Sequence, residues 1–379
     1  MNARVSQLLD QGQSIWQDDI ARSMLTSGSL AAMIEDVGIR GVTSNPTIFE
    51  KAISSGADYD AQIAELSRKE ISAADIFEAL AVDDIRNACD VFRAIYDLSN
   101  GGDGFVSIEV APDLARDAEG TREATRRLWK TIDRPNLMVK IPGTVEGAPV
   151  IREMLAEGIN INVTLLFSIE AYERVAHAYV DALEQRVSEG KPIDRVASVA
   201  SFFVSRVDTL VDRLLNEKIA EVEDPRDKKA LEELRGKAAV ANAKLAYAKF
   251  EEIFSGPRWD ALKAAGARPQ RPLWASTGTK NPDYSDVLYV ETLIGPHTVN
   301  TMPGKTIQAF LDHGVVKRTV DTDLDQARDV ILDLEAAGIS IDAVTAQLET
   351  EGIESFIKSF ETLLAGVEGK RASLAAAAD

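Results

Sequence analysis

A single cysteine, Cys89, excludes an internal disulfide and fits a reducing compartment. It falls on the apolar stripe Val82, Ile85, Cys89, Phe92 and Tyr96 of a predicted helix, and so reads as a buried structural thiol. Histidine is nearly as scarce: there are three, His177, His297 and His313, and none has a Cys, His or carboxylate partner at ligand spacing. No protein-built metal cage is expected, and acid–base chemistry falls to carboxylates or lysine. Basic charge is deficient too. The 42 Lys and Arg face 61 Asp and Glu, a formal charge of -19, which argues against a nucleic-acid partner or an anionic membrane surface. An anionic substrate would have to be met by cations gathered locally. No run approaches the roughly 18 apolar residues of a membrane span. The start, MNARVSQLLDQGQ, lacks the apolar core of a secretion signal, so a soluble, cytoplasmic protein is expected.

What is present is an ordinary globular composition, 45% hydrophobic and 27% charged, enough to bury a sizeable core without disulfides or metals. Short β-rich runs alternate with long helical patterns, the rhythm of parallel βαβ units. Strands are predicted near 14–18, 40–44, 104–110, 136–141, 159–164, 195–200, 272–276 and 297–301. Eight of them suggest a closed (β/α)8 TIM barrel spanning residues 1–379 as one domain. Amphipathic segments at 72–98, 118–131, 168–188, 304–313 and 323–337 would form the outer layer. The charge-rich stretch of about 216–270 reads as a helical insertion before strand seven, a solvated hairpin. The tail of about 340–379 reads as helical, fraying at SLAAAAD. There is no internal repeat or low-complexity domain.

Side chains alternate faces along a strand, and one face of a barrel strand points inward. Phe105, Ser107 and Glu109 share a face in the third run, Met138 and Lys140 in the fourth, and Asn160, Asn162 and Thr164 in the fifth; the opposite faces are apolar. If the apolar faces meet the helices, Glu109, Lys140, Asn162 and Thr164 point into the barrel near its C-terminal end, where barrel enzymes place their chemistry. A lysine held in an apolar barrel mouth is costly to keep charged, so its pKa falls and its free amine becomes a nucleophile toward a ketone. Lys140 fits that role; the alternative is an exposed lysine whose stem lies beside Pro142.

The segments GVTSNPTIFEKAI (41–53), VSIEVAPDLARD (106–117), NLMVKIPGTVEG (136–147), ININVTLLFS (159–168), ASVASFFVSRVD (197–208) and PLWASTGTKNP (272–282) resemble the transaldolase family in its longer-chain form. The resemblance implies transfer of a dihydroxyacetone unit between sugar phosphates in the non-oxidative pentose phosphate pathway, through a lysine imine and without a cofactor. It implies that Lys140 forms the imine and that Glu109 passes protons through a water held by Thr164. An aspartate ending strand one takes the hydroxyl proton that starts carbon–carbon cleavage; Asp18 has the inward parity of Trp16 and is chosen over Asp19, although either could cap a helix. Asn45, Asn162 and Ser201 would grip the dihydroxyacetone hydroxyls, and Asn45 could instead only shape an Asn-Pro turn. Arg206 and Ser276 would cradle the phosphate. Many shorter relatives carry an arginine just after that serine; here Lys280 is the candidate replacement, or a surface lysine. Arg206 could alternatively pair with Asp208 or Asp212. Two other readings are a fructose-6-phosphate aldolase, which shares the lysine but releases dihydroxyacetone, and a barrel that only binds sugar phosphates.

Overall fold

The computed structural model describes residues 1–54, 56–69 and 71–376. Eight parallel strands close into a barrel in sequential order: β1 Gln13–Gln17, β2 Gly41–Val42, β3 Phe105–Glu109, β4 Leu137–Pro142, β5 Ile161–Leu166, β6 Ser198–Phe203, β7 Arg271–Ala275 and β8 Thr298–Met302. β8 pairs back onto β1, so no sheet edge is left open. The outward faces carry Val106, Ile108, Leu137, Val139, Ile161 and Val163, all buried under helices. The alternation read from the sequence is therefore the alternation between helix-facing and interior-facing side chains.

Five strands lie within one residue of the expected bounds at each end; β2, β5 and β6 depart by two or more. β2 is two residues long; its Gly41 lies against Trp16, where a Cβ would come within 2.6 Å of the indole. Beyond Val42 the chain keeps one ladder bond, Thr43 N–H to Gln17 C=O at 2.9 Å, and then turns out through Asn45 and Pro46 into the helix Pro46–Ser54. β5 and β6 start at Ile161 and Ser198, later than expected, because Asn160 works as a clamp beneath them. Its amide donates to the carbonyls of Pro135 and Leu137 and accepts the N–H of Ala197 at 2.9 Å.

The helices fall where the apolar spacing put them: Ala73–Leu98, Ala118–Ile132, Ile169–Ser188, Gly304–His313 and Leu324–Ala336. Ser72 and Asp75 form a reciprocal capping box, and Asp117 and Ser168 cap the next two, so the boundaries were set by local side chains. Val82, Ile85, Cys89, Phe92 and Tyr96 are buried as the stripe predicts, and burial pushes the Cys89 thiol up, away from reactivity.

The solvated-hairpin reading of 216–270 is corrected by the packing. Pro225–Glu232 is indeed without buried residues, but Ala238–Ile253 buries Ala239, Ala243, Ala246, Tyr247 and Phe250. Its small alanines permit close approach to neighbouring helices, and three polar side chains tie it down. Asn242 donates to Phe167 C=O at 2.8 Å, Lys244 to Thr322 C=O at 2.9 Å and Tyr247 to Pro296 C=O at 3.1 Å. Its first turn is held by Asp208, which accepts the Ala239 N–H at 2.7 Å and the Tyr289 hydroxyl at 2.8 Å.

The tail forms one helix, Ile341–Ala376, of 36 residues. Of the SLAAAAD end expected to fray, Ser373 to Ala376 are helical and the last three residues lie outside the described ones. This helix is docked against the protein. Thr47 donates to Ser359 at 2.9 Å, Phe77 meets Phe360 edge-on at 5.8 Å, and Lys370 reaches Asp60 at 2.6 Å. It lies over the C-terminal end of the barrel.

Candidate active site

The C-terminal mouth holds a cavity of about 300 Å³ lined by Asp18, Asn45, Lys51, Lys140, Ser201, Arg206, Ser276 and Lys280, among others. Seven of the ten residues singled out from the sequence are thus brought to one surface. The other three, Glu109, Asn162 and Thr164, are buried behind that lining; Glu109 is bonded to Lys140 and Asn162 to Ser201. The register explains the grouping: Glu109 pairs with Lys140 across β3 and β4, and Lys140 with Asn162 across β4 and β5. Three adjacent strands therefore present these side chains in one layer.

Lys140 is not in apolar surroundings, contrary to the sequence-based expectation. Its Nζ donates to Glu109 Oε2 at 3.1 Å and to Ser44 C=O at 3.3 Å, with both side chains of the ion pair at most 5% exposed. Burial pushes the Glu109 carboxyl up, against the opposing pull of the Lys140 charge. Glu109 Oε1 and Thr164 Oγ1 are both buried and make no hydrogen bond to protein among the described residues. Ser201, at the cavity wall, donates to Asn162 Oδ1 at 2.7 Å, and Asn162 Nδ2 donates to Ser107 Oγ at 3.0 Å.

The two candidate aspartates part company. Asp18 lines the cavity and accepts the Thr43 hydroxyl at 2.7 Å, while Thr43 and Thr301 share a hydroxyl–hydroxyl bond of 2.6 Å. With the Thr43 proton directed at Asp18, Thr301 donates to Thr43, so a chain from β8 to the residues just past the ends of β2 and β1 orients the carboxylate. Burial pushes the Asp18 carboxyl up, with Thr43 and the Lys140 charge opposing. Asp19 is exposed and outside the cavity lining.

Arg206 sits in the first turn of the helix Ser205–Glu221, directly after β6. Among the described residues its guanidinium makes no hydrogen bond or ion pair. Asp208 and Asp212, its alternative partners, are occupied: Asp208 holds Ala239 and Tyr289, and Asp212 holds Gly236 and Tyr284. Instead Arg206 stacks near two rings, with Cζ 5.2 Å from the centre of Phe203 and 5.8 Å from that of Phe356. Ser276 has φ of 56°, the left-handed region that a residue with a side chain adopts at a cost. Its hydroxyl lies 2.9 Å from that of Ser205, and its carbonyl accepts the Ser205 N–H at 3.1 Å, so the serine and the arginine are fixed relative to each other. Lys280 is exposed at the rim. Asn45 shapes its turn, its Oδ1 accepting the Ile48 N–H at 3.0 Å, and the residue also lines the cavity.

Sequence reasoning did not assign Thr43, Lys51, Phe203, Thr301 or Phe356. Thr43, Lys51 and Phe203 stand inside the quoted segments, so position within the motifs was the available signal; Phe356, on the C-terminal helix, had none. Lys51, Lys140, Arg206 and Lys280 give the cavity its positive charge in a chain of net charge -19, the local concentration that an anionic substrate requires. The histidines stay apart from it. Among the described residues no His, Cys, Asp and Glu side chains gather into a metal-sized group, and no helix is long and apolar enough to cross a membrane.

The family model for Transaldolase/Fructose-6-phosphate aldolase matches residues 15–367. The chain belongs to that family. It is 50% identical over 361 residues to the transaldolase of Trichodesmium erythraeum, covering 95% of both chains. It is 51% identical over 364 residues to that of Saccharopolyspora erythraea, covering 96% of both, and 50% identical over 365 residues to that of Thermobifida fusca, covering 96% of this chain and 97% of the relative. In this transaldolase-family barrel the candidate residues sit at the C-terminal strand ends, the end where (β/α)8 enzymes place their chemistry, while the opposite end closes with structural polar groups. There Trp16 Nε1 donates to Asp103 at 2.8 Å and Arg271 donates to Ser14 at 2.8 Å and to Thr298 C=O at 2.6 Å. Inward polarity alone is thus no signature of catalysis.

Proposed function

We propose that this transaldolase-family enzyme moves a dihydroxyacetone unit from fructose 6-phosphate or sedoheptulose 7-phosphate to glyceraldehyde 3-phosphate or erythrose 4-phosphate, as a cytoplasmic transferase of the pentose phosphate pathway. The observation that carries this reading is a buried lysine paired with a carboxylate at 3.1 Å, beside a cavity that also holds Asp18 and the unpaired Arg206.

Nucleophilic attack requires a neutral amine, and the ion pair supplies a route to one. Glu109, pushed up by burial, takes a proton from Lys140, and the amine adds to C2 of the ketose. Loss of the C2 oxygen as water completes the imine; Glu109 Oε1 and Thr164 Oγ1, both buried without a partner among the described residues, would hold that water. The Asp18 carboxylate then takes the C4 hydroxyl proton. The C3–C4 bond breaks toward the imine, the aldose phosphate leaves, and the enamine adds through C3 to the next aldehyde. Ser201 and Asn45 at the cavity wall meet the donor hydroxyls, with Asn162 orienting Ser201.

The test is sodium borohydride reduction with fructose 6-phosphate followed by peptide mass spectrometry. A dihydroxyacetone-derived adduct on Lys140 is expected; no adduct, or one on another lysine, overturns the reading. Adding erythrose 4-phosphate and measuring sedoheptulose 7-phosphate separates transfer from aldolase-type release. Because the carbonyl is activated as an imine, EDTA is expected to leave the rate unchanged, and a loss restored by a divalent ion would contradict this.

Arg206 carries the phosphate part of the proposal. Its helix N-terminal position, its free guanidinium and its tie to Ser276 suit an anion. Hydrogen bonds to charged groups are worth about 1.5–3 kcal/mol, so Arg206→Ala should lower kcat/KM for fructose 6-phosphate about ten- to a hundredfold and barely change that for fructose. A variant that keeps the full preference for the phosphorylated donor would move the phosphate site elsewhere. Lys280→Ala is expected to do less, since that lysine is at the exposed rim.

A further inference from the structure

The enamine held on a lysine has two fates. It can attack an aldehyde, or C3 can take a proton and water can add to C2, whereupon the C2–N electron pair returns to Nζ and free dihydroxyacetone leaves. The second route consumes one water and one proton and regenerates the lysine as an ammonium. Which route wins depends on whether water reaches C2 while the site waits for its acceptor.

One residue of the C-terminal helix stands where that is settled. Phe356 is 4% exposed and lines the cavity. Its ring centre lies 5.8 Å from Lys140 Nζ and 5.8 Å from Arg206 Cζ, within the reach of a cation–π contact to each. A sugar bonded to Lys140 through C2 and held by its phosphate at Arg206 must run past this ring. One turn earlier, Gly352 brings the same helix face onto Arg206: a Cβ there would lie 3.6 Å from the guanidinium Nη1 and 3.0 Å from Leu165. About one turn after Phe356 the helix is anchored through Ser359 to Thr47 and through Phe360 to Phe77, and one turn before it Gly352 seats the helix against Leu165, so the ring is held in place.

We propose that Phe356 is a specificity-determining residue that keeps water from C2 of the lysine-bound intermediate and so favours transfer over release. The aromatic ring also faces the nitrogen that stays cationic in the iminium. This inference rests on the imine chemistry proposed for Lys140 and assigns a role to a helix outside the barrel.

The test uses the intact enzyme with fructose 6-phosphate and erythrose 4-phosphate, measuring free dihydroxyacetone against sedoheptulose 7-phosphate. Phe356→Ala opens room for water, which needs about 30 Å³ per molecule, and should raise the released-to-transferred ratio about tenfold, the scale of losing one such contact. Phe356→Leu, which keeps an apolar roof without the ring, should fall between Phe356→Ala and the parent. Glu354→Ala, at an exposed position of the same helix, should leave the ratio unchanged. A folded Phe356→Ala enzyme with the parent ratio overturns the inference; if that variant does not fold, an unchanged ratio in Phe356→Leu does so. Failure of the parent enzyme to form a borohydride adduct would instead remove the underlying imine, so the two failures are told apart.

Discussion

Lys140→Ala is expected to fold normally and to lose transfer activity by roughly 10⁴-fold or more, the scale seen when a covalent nucleophile is removed. Folding should survive because the Glu109 carboxyl that loses its ion-pair partner is pushed up by burial and can take a proton in place of the lost ammonium. Activity should not survive, because Lys51 and Lys280 are exposed at the cavity rim while the amine has to be beneath the substrate, in the same layer as Glu109 and Asn162. Stopped-assay kinetics with circular dichroism as a folding control measure both parts. A borohydride adduct persisting in Lys140→Ala would assign the nucleophile elsewhere.

Asp18→Asn and Glu109→Gln should each cost about 10²–10⁴-fold, the usual scale for a positioned acid or base, but at different steps. Asp18→Asn still forms the imine and stalls before C3–C4 cleavage, so the trapped adduct retains all the donor carbons and accumulates. Glu109→Gln forms any adduct slowly, because the route that removes a proton from Lys140 is gone. The pH dependence gives an independent handle on Asp18. A base works above its pKa; burial raises that of Asp18, with Thr43 and Lys140 opposing. The acid limb of kcat should therefore lie above the ordinary carboxylate value of about 3.9, and the rate should fall as pH drops through it. That limb should be missing from the residual activity of Asp18→Asn. An unaltered limb, or a stall of the same kind in Asp19→Asn, would contradict the assignment.

The barrel was legible because its determinants are local. A period of two along Phe105 to Glu109, Leu137 to Lys140 and Ile159 to Thr164 separates the helix-facing from the interior-facing side chains before any strand has a neighbour. Capping side chains such as Ser72, Asp117 and Ser168 mark helix starts in the same local way. The quoted motifs pointed to the family, which the similarity over nearly the full chain then showed. What parity could not supply was the environment of each inward side chain. The expectation of apolar surroundings for Lys140 failed because register across β3 and β4 placed Glu109 beside it. The hairpin expectation failed because the burial of Ala238–Ile253 depends on partners distant in sequence.

By itself, then, the sequence determined the alternating elements, the inward carboxylates and lysine, and the net charge that demands a local cationic site. Only tertiary structure decided that Thr301 of β8 completes the chain orienting Asp18, that Arg206 is left without a carboxylate, and that Phe356 roofs the lysine. The reason is physical: side-chain direction follows from backbone geometry one residue at a time, whereas burial, unmet hydrogen-bonding capacity and pKa shifts come from groups brought together by ring closure and helix docking.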